Sequence, residues 1–176
     1  MTDRNLSPHF TLFDLTRTDH VDLQETNRNV TNAEELRLGE VANLLETCRT
    51  ILGCDLDVHS ARRFLELNKR VGGSERSQHL KSEAADFSPA GPDTESSVTN
   101  AWQKLVTASR VQSAPGYVGT GILKFGQLIL ESDKGLREGR VWWIHVSLGS
   151  PYRDAARCGQ VATSIDGKFT MISRVL

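Results

Sequence analysis

The chain has 176 residues, 38% of them hydrophobic and 24% charged, enough for one folded domain with a buried core and too few for a large multidomain machine. Its 21 Lys+Arg against 22 Asp+Glu leave a net charge of -1, so there is no global positive field to hold a polyanion, and no nucleic-acid partner is expected. The start of the chain is polar and acidic without a secretory apolar core, and no apolar run nears the ~20 residues of a spanning helix, so cytoplasmic synthesis and no membrane insertion are expected.

The first element is a helix over about Ala33 to Leu52, with Asn32 as its cap, Glu35 three residues on, and Leu38, Val41, Leu44 and Leu45 at helical spacing. Gly53 ends it, and Leu56 to His59 reads as a short strand. The spacing predicts a second helix from about Ala61 to Arg70, stopped at Gly72-Gly73, whose Arg62, Arg63, Lys69 and Arg70 form a basic side. A polar loop follows, then a short buried strand at Ala84 to Phe87. Ser88 to Ser97 is a loop inside one domain, and a third helix runs from about Ser96 to Val111. After a turn at Pro115-Gly116 the pattern becomes strands: Gly121 to Glu131, Arg140 to Leu148, and Val161 to Ser164 joined to Lys168 to Ser173 by an Asp166-Gly167 turn. Helices first and strands later predict an α+β fold, with helices packed on one face of a mainly antiparallel sheet, in a single domain over 1–176. The three cysteines, Cys48, Cys54 and Cys158, have no paired spacing and read as free thiols in a reducing compartment.

Chemistry concentrates in two places. His79 and Asp86 stand seven apart, with the small Ala84 and Ala85 just before the acid. On a strand over 141–148, side chains alternate, sending Ile144, Val146 and Leu148 to the core and Trp143, His145 and Ser147 to the other face. His79, Asp86 and His145 make two imidazoles and one carboxylate, an open three-ligand set that leaves zinc a position for water.

With these residues in view, the sequence resembles the zinc D,D-carboxypeptidases and L-alanyl-D-glutamate endopeptidases of bacterial peptidoglycan, which share a hedgehog-like fold. Ser77, His79, Ala84 and Asp86 match the family's Ser-x-His-x-x-Gly-x-Ala-x-Asp, and Trp143 and His145 its late Trp-x-His. Gly72 to Leu80 reads like the Gly-Gly-Ser-x-x-Ser-Gln-His-Leu of phage endolysin members, and His9 to Thr16 like their opening, so the resemblance spans about 9–148. It implies a zinc peptidase with His79, Asp86 and His145 as ligands and Arg63 on the arginine that polarises the scissile carbonyl or holds a substrate carboxylate. Ser77 and Gln78 fall at positions for donors to the substrate or to the ligands, and Trp143 at a substrate-binding position on the cleft wall. Gln127-Leu128-Ile129-Leu130-Glu131 resembles a segment that carries the general base, which assigns Glu131, with Glu138 as a rival in the insertion 132–139.

Three departures stand out: Ala61 and Arg62 replace the family's Gly-Tyr before the arginine, and Ser82 stands at the motif glycine, where a positive φ would strain it. They feed a competing expectation, a binding module of the same fold with weakened catalysis. His59, just before Ser60 and Arg63, reads as a packed strand-end histidine, with an extra ligand or a gate as the functional alternative. The expected partner is a peptidoglycan stem peptide met by a monomer, reaching the wall after phage lysis or by signal-independent export.

Overall fold

A computed structural model of the protein describes residues 3–92, 94–110, 123–134, 140–149 and 159–174. Among these residues, four α-helices, α1 (Gln24–Arg28), α2 (Asn32–Leu52), α3 (Leu65–Arg70) and α4 (Glu95–Arg110), accompany six strands: β1 (Leu56–Ser60), β2 (Ala84–Pro89), β3 (Gln127–Lys134), β4 (Arg140–Ser147), β5 (Gln160–Ile165) and β6 (Lys168–Arg174). They build an α+β fold around one sheet in the order β1-β2-β4-β3-β5-β6. All neighbours are antiparallel except β3 and β5, which run parallel. No helix among the described residues is long and apolar enough to cross a membrane.

The α2 boundary is set one residue earlier than the spacing predicts. Thr31, not Asn32, is the cap: its hydroxyl accepts from Glu34 N–H while the Glu34 carboxylate accepts from Thr31 N–H, a reciprocal capping box. Gly53 closes the helix at φ 72°, a left-handed position that suits glycine. Leu38, Val41, Leu45 and Cys48 of α2, with Val98, Trp102 and Leu105 of α4, pack on Val58, Ala85, Phe87, Leu128, Ile144 and Val146 of the sheet. Burial pushes the Cys48 thiol up to about 12, so it is a core residue held neutral. Cys54 is also a free thiol, and Cys158 lies outside the described residues, as does the Pro115-Gly116 turn.

The second helix departs most from expectation. It begins at Leu65, and residues 61–63 are not helical, because their backbone is committed elsewhere. Arg62 N–H donates to Leu15 C=O and Arg63 N–H to His79 C=O. The buried Asn27 side chain donates to the Arg62 carbonyl at 2.9 Å and accepts from Phe64 N–H at 3.2 Å. The expected basic side is not a free one. Arg62 is buried and pairs with Glu34 at 3.0 Å, Arg63 pairs with Asp86, and Arg70 pairs with Asp22.

A 3₁₀ turn, Gln78–Lys81, connects α3 to β2 and ends on Ser82 in the left-handed region, φ 56° and ψ 36°. The positive φ anticipated for this position is therefore adopted by serine itself. Ser82 is fully buried, and its Oγ has no hydrogen-bond partner among the described residues. Left-handed geometry in a residue with a Cβ costs about 1–2 kcal/mol, and a buried unpaired hydroxyl about 1–3 kcal/mol. Ser82→Gly removes both and loses about 0.5–1 kcal/mol to unfolded-chain entropy. Thermal unfolding of the metal-free variant should shift upward by at least about 2 °C; an unchanged or lower midpoint would show that the turn bears no strain.

Candidate metal centre and cleft

The sheet face opposite the helices carries the site. Asp86 on β2 and His145 on β4 are direct cross-strand partners, and Ile129 on β3 stands on the other side of His145. Cross-strand partners share a face, so the alternation that buries Ile144 and Val146 in the core turns His145 outward to meet the Asp86 carboxylate. Ala84 and Ala85, both fully buried, let β2 run tightly between its neighbours. His79 arrives from the 3₁₀ turn, whose cap Ser77 accepts from His79 N–H at 3.3 Å.

Three ligand-type atoms converge. His145 Nδ1 lies 2.8 Å from Asp86 Oδ1, His79 Nε2 lies 3.2 Å from the same oxygen, and the two imidazole nitrogens are 3.3 Å apart. All three residues are buried. The remaining atoms of each group are already engaged. His79 Nδ1–H donates to the Ala61 carbonyl at 2.6 Å, which leaves Nε2 with a lone pair. His145 Nε2–H donates to Gln78 Oε1 at 3.1 Å, and Gln78 Nε2 donates to Ser147 Oγ at 2.8 Å. Asp86 Oδ2 accepts from Arg63 Nη2 at 2.6 Å, while Arg63 Nε donates to Ser60 Oγ at 2.7 Å.

The electrostatics agree with that wiring. Burial, offset in part by Asp86, holds His79 below its ordinary pKa, so it stays neutral. For His145, burial pulls downward but is outweighed by the hydrogen bond and charge of Asp86 and the charge of Glu131, and the net shift is upward. Burial would raise Asp86, yet the two histidines hold it well below the usual carboxylate range. Nδ1 of His145, Nε2 of His79 and Oδ1 of Asp86 thus face one another with one proton among them at most. Such a cluster of buried lone pairs suits a divalent cation, and a set of two imidazole nitrogens and one carboxylate oxygen is a donor set that zinc accepts. The residues present therefore fit a metal.

A cleft of about 450 Å³ opens on this cluster. Its described lining includes Arg63, Ser77, Gln78, Trp143 and Glu131, so every residue expected at the site is brought to it. Glu131 sits in mid-strand on β3, opposite Trp143, not at a strand end as the insertion suggested. Burial first, and then the Asp86 charge, raise its pKa, against the opposing effects of His145, the Trp143 hydrogen bond and Arg63. The rival Glu138 lies outside the described residues.

Two of these side chains are also tied to the cluster itself. Arg63 does line the cleft, but its guanidinium grips the outer oxygen of Asp86 and orients that carboxylate. Gln78 is buried, and its amide links His145 to Ser147, so it fixes which imidazole nitrogen faces the cluster. His59 bonds Ser88 on the next strand at 2.9 Å, and the His-Asp-His cluster among the described residues does not include it. Sequence reasoning missed Gln127, Ile129 and Asp133, which share the face of Glu131 in the cleft. Counting by twos along β3 from Glu131 would have found them.

Comparison with known proteins bears on the same residues. A family model described as Peptidase M15 matches residues 8–116, more than half of the 176-residue chain, and takes in Arg63, His79 and Asp86. Glu131 and His145 lie beyond the match and reach the site through the sheet. No curated protein matches the chain. With the family model matching over that length and a buried His-Asp-His cluster in its cleft, the chain belongs to the Peptidase M15 family, a family of metallopeptidases.

Proposed function

We propose that the protein is a zinc-dependent peptidase that hydrolyses peptide bonds in peptidoglycan stem peptides, as a D,D-carboxypeptidase or an L-alanyl-D-glutamate endopeptidase, on a single hedgehog-like domain. The observation that carries this reading is the convergence of His79 Nε2, Asp86 Oδ1 and His145 Nδ1 in a cleft that Glu131 also lines.

His79, Asp86 and His145 would hold the ion, which when bound supplies Lewis acidity, lowering the pKa of water towards ~7 and polarising an amide carbonyl. The chain's residues supply the rest. Glu131 accepts the proton of the attacking water on its carboxylate and delivers it to the leaving amine nitrogen, a transfer for which its raised pKa suits it. Arg63 keeps Asp86 turned with Oδ1 inward and sets positive charge beside the place where the scissile oxygen becomes negative. Trp143 forms cleft wall and donates to the Glu131 carboxylate. The substitutions at Ala61 and Arg62 are compatible with activity, since the Ala61 carbonyl orients His79 and Arg62 ties that segment to α2.

Digestion of purified peptidoglycan by zinc-loaded protein, read by mass spectrometry, tests this directly. Expected are new peptide termini at one bond type, lost on chelation and restored by zinc. Zinc bound at one per chain without any cleavage would favour the binding module, and no zinc under any condition would remove the metal site.

A further inference from the structure

The cleft has two walls of different character. One is the loop between α3 and the 3₁₀ turn, carrying Ser74, Arg76 and Ser77; the other is the outward face of β3, carrying Glu131 and Asp133. Of the two arginines in the described lining, Arg63 is spoken for by Asp86 and Ser60. Arg76 is exposed and forms no ion pair among the described residues.

The loop that presents Arg76 is braced from beneath. Asn68 Nδ2 donates to the Gly73 and Ser74 carbonyls at 3.1 and 3.0 Å, and Gly73 N–H donates back to the Asn68 carbonyl at 2.8 Å. A Cβ at Gly73 would collide with Asn68 Oδ1, so a larger residue there would have to displace the Asn68 amide. Arg76 N–H donates to Ser74 Oγ at 3.1 Å and Ser77 N–H to the Ser74 carbonyl at 3.0 Å, which fixes the turn. The guanidinium therefore springs from a held backbone at the cleft rim. Across from it, Asp133 is exposed two residues beyond Glu131 on the same strand face, roughly 7 Å along the strand.

We propose that Arg76 and Asp133 are specificity determinants that read opposite charges on the substrate: Arg76 a free carboxylate, Asp133 an amino group. The cleft then selects a peptide bearing both signs, as stem peptides do with their acidic and diamino residues. Selection of this kind is local and needs no net charge on the protein, in keeping with a net of -1. It rests on the peptidase reading of the site.

The test is equilibrium binding to the full-length, zinc-loaded Glu131→Gln variant, which separates recognition from turnover. Three probes are used: a synthetic stem tetrapeptide with free carboxylates and a free lysine amine, its carboxyl-amidated form and its lysine-acetylated form. The unmodified peptide should bind about two- to fivefold more tightly than either derivative, the range of a solvent-accessible charged pair. Adding Arg76→Ala should erase the preference for the free acid and keep that for the free amine; adding Asp133→Asn should do the reverse, with zinc content unchanged. In the cleaving protein the same changes should raise KM and spare kcat. Equal affinity for all three probes, or preferences that survive both substitutions, would overturn the proposal. Charge-selective binding without hydrolysis by the parent protein would instead overturn the peptidase reading alone.

Discussion

Zinc-loaded Glu131→Gln should keep its metal and lose about 10²- to 10⁴-fold in turnover, the usual worth of a positioned general base. The substitution is close to isosteric, and its amide oxygen can still accept the hydrogen bond that Trp143 gives the carboxylate, so the wall of the cleft stays in place. What it lacks is a site for the proton on its way from water to the leaving nitrogen. Because Glu131 is buried near the charge of Asp86, its proton affinity in the metal-free protein is above that of a free carboxylate. The parallel variant is Glu138→Gln, and it should turn over at nearly the parent rate. Turnover lost in Glu138→Gln and kept in Glu131→Gln would exchange their roles.

His145→Ala should abolish both zinc uptake and hydrolysis. A three-ligand centre cannot lose an imidazole without leaving two donors, and the loss also strips Asp86 Oδ1 of its 2.8 Å partner and Gln78 of the N–H it accepts. The parent protein carries a pH signature of the same group. In the metal-free state His145 binds a proton more firmly than an ordinary histidine, because Asp86 and Glu131 outweigh its burial. Nδ1 must release that proton to become a ligand. Above the raised pKa there is no proton to displace and affinity is flat; below it, affinity should fall about tenfold per pH unit. Calorimetric zinc titrations in buffers of differing ionisation enthalpy should count close to one proton released on the acid side and none on the alkaline side. Zinc affinity independent of pH between 5 and 8, or a His145→Ala protein that still binds one tight zinc, would remove His145 from the ligand set.

Much of this site was legible because its parts are local. His79 and Asp86 lie on one short segment whose residue types are unusual together, and His145 and Trp143 share a strand face by simple alternation. The core face of β4 followed from the same period, and the Asp166-Gly167 turn from its composition, with both residues at positive φ. The less legible parts depend on contacts distant in sequence. Residues 61–63 have a helical pattern but are drawn out of helix by Leu15, Asn27 and His79, because a hydrogen bond to a site residue outweighs a few tenths of a kcal/mol of propensity. Arg62 and Arg63 read as a basic surface, and only their distant acids, Glu34 and Asp86, reveal them as internal ties.

By itself the sequence determined the chemistry available: two imidazoles and two carboxylates with the patterning to place them on an α+β scaffold, in a nearly neutral chain of 176 residues. The tertiary structure decided which atoms meet. It set β2 and β3 on either side of β4, paired β3 with β5 in parallel, put Arg63 on the second oxygen of Asp86, and turned Gln78 into the partner of His145. The physical reason is that side-chain period and composition are carried by neighbouring residues, whereas strand order and the satisfaction of buried polar atoms are settled only when distant segments pack and must account for every donor and acceptor they enclose.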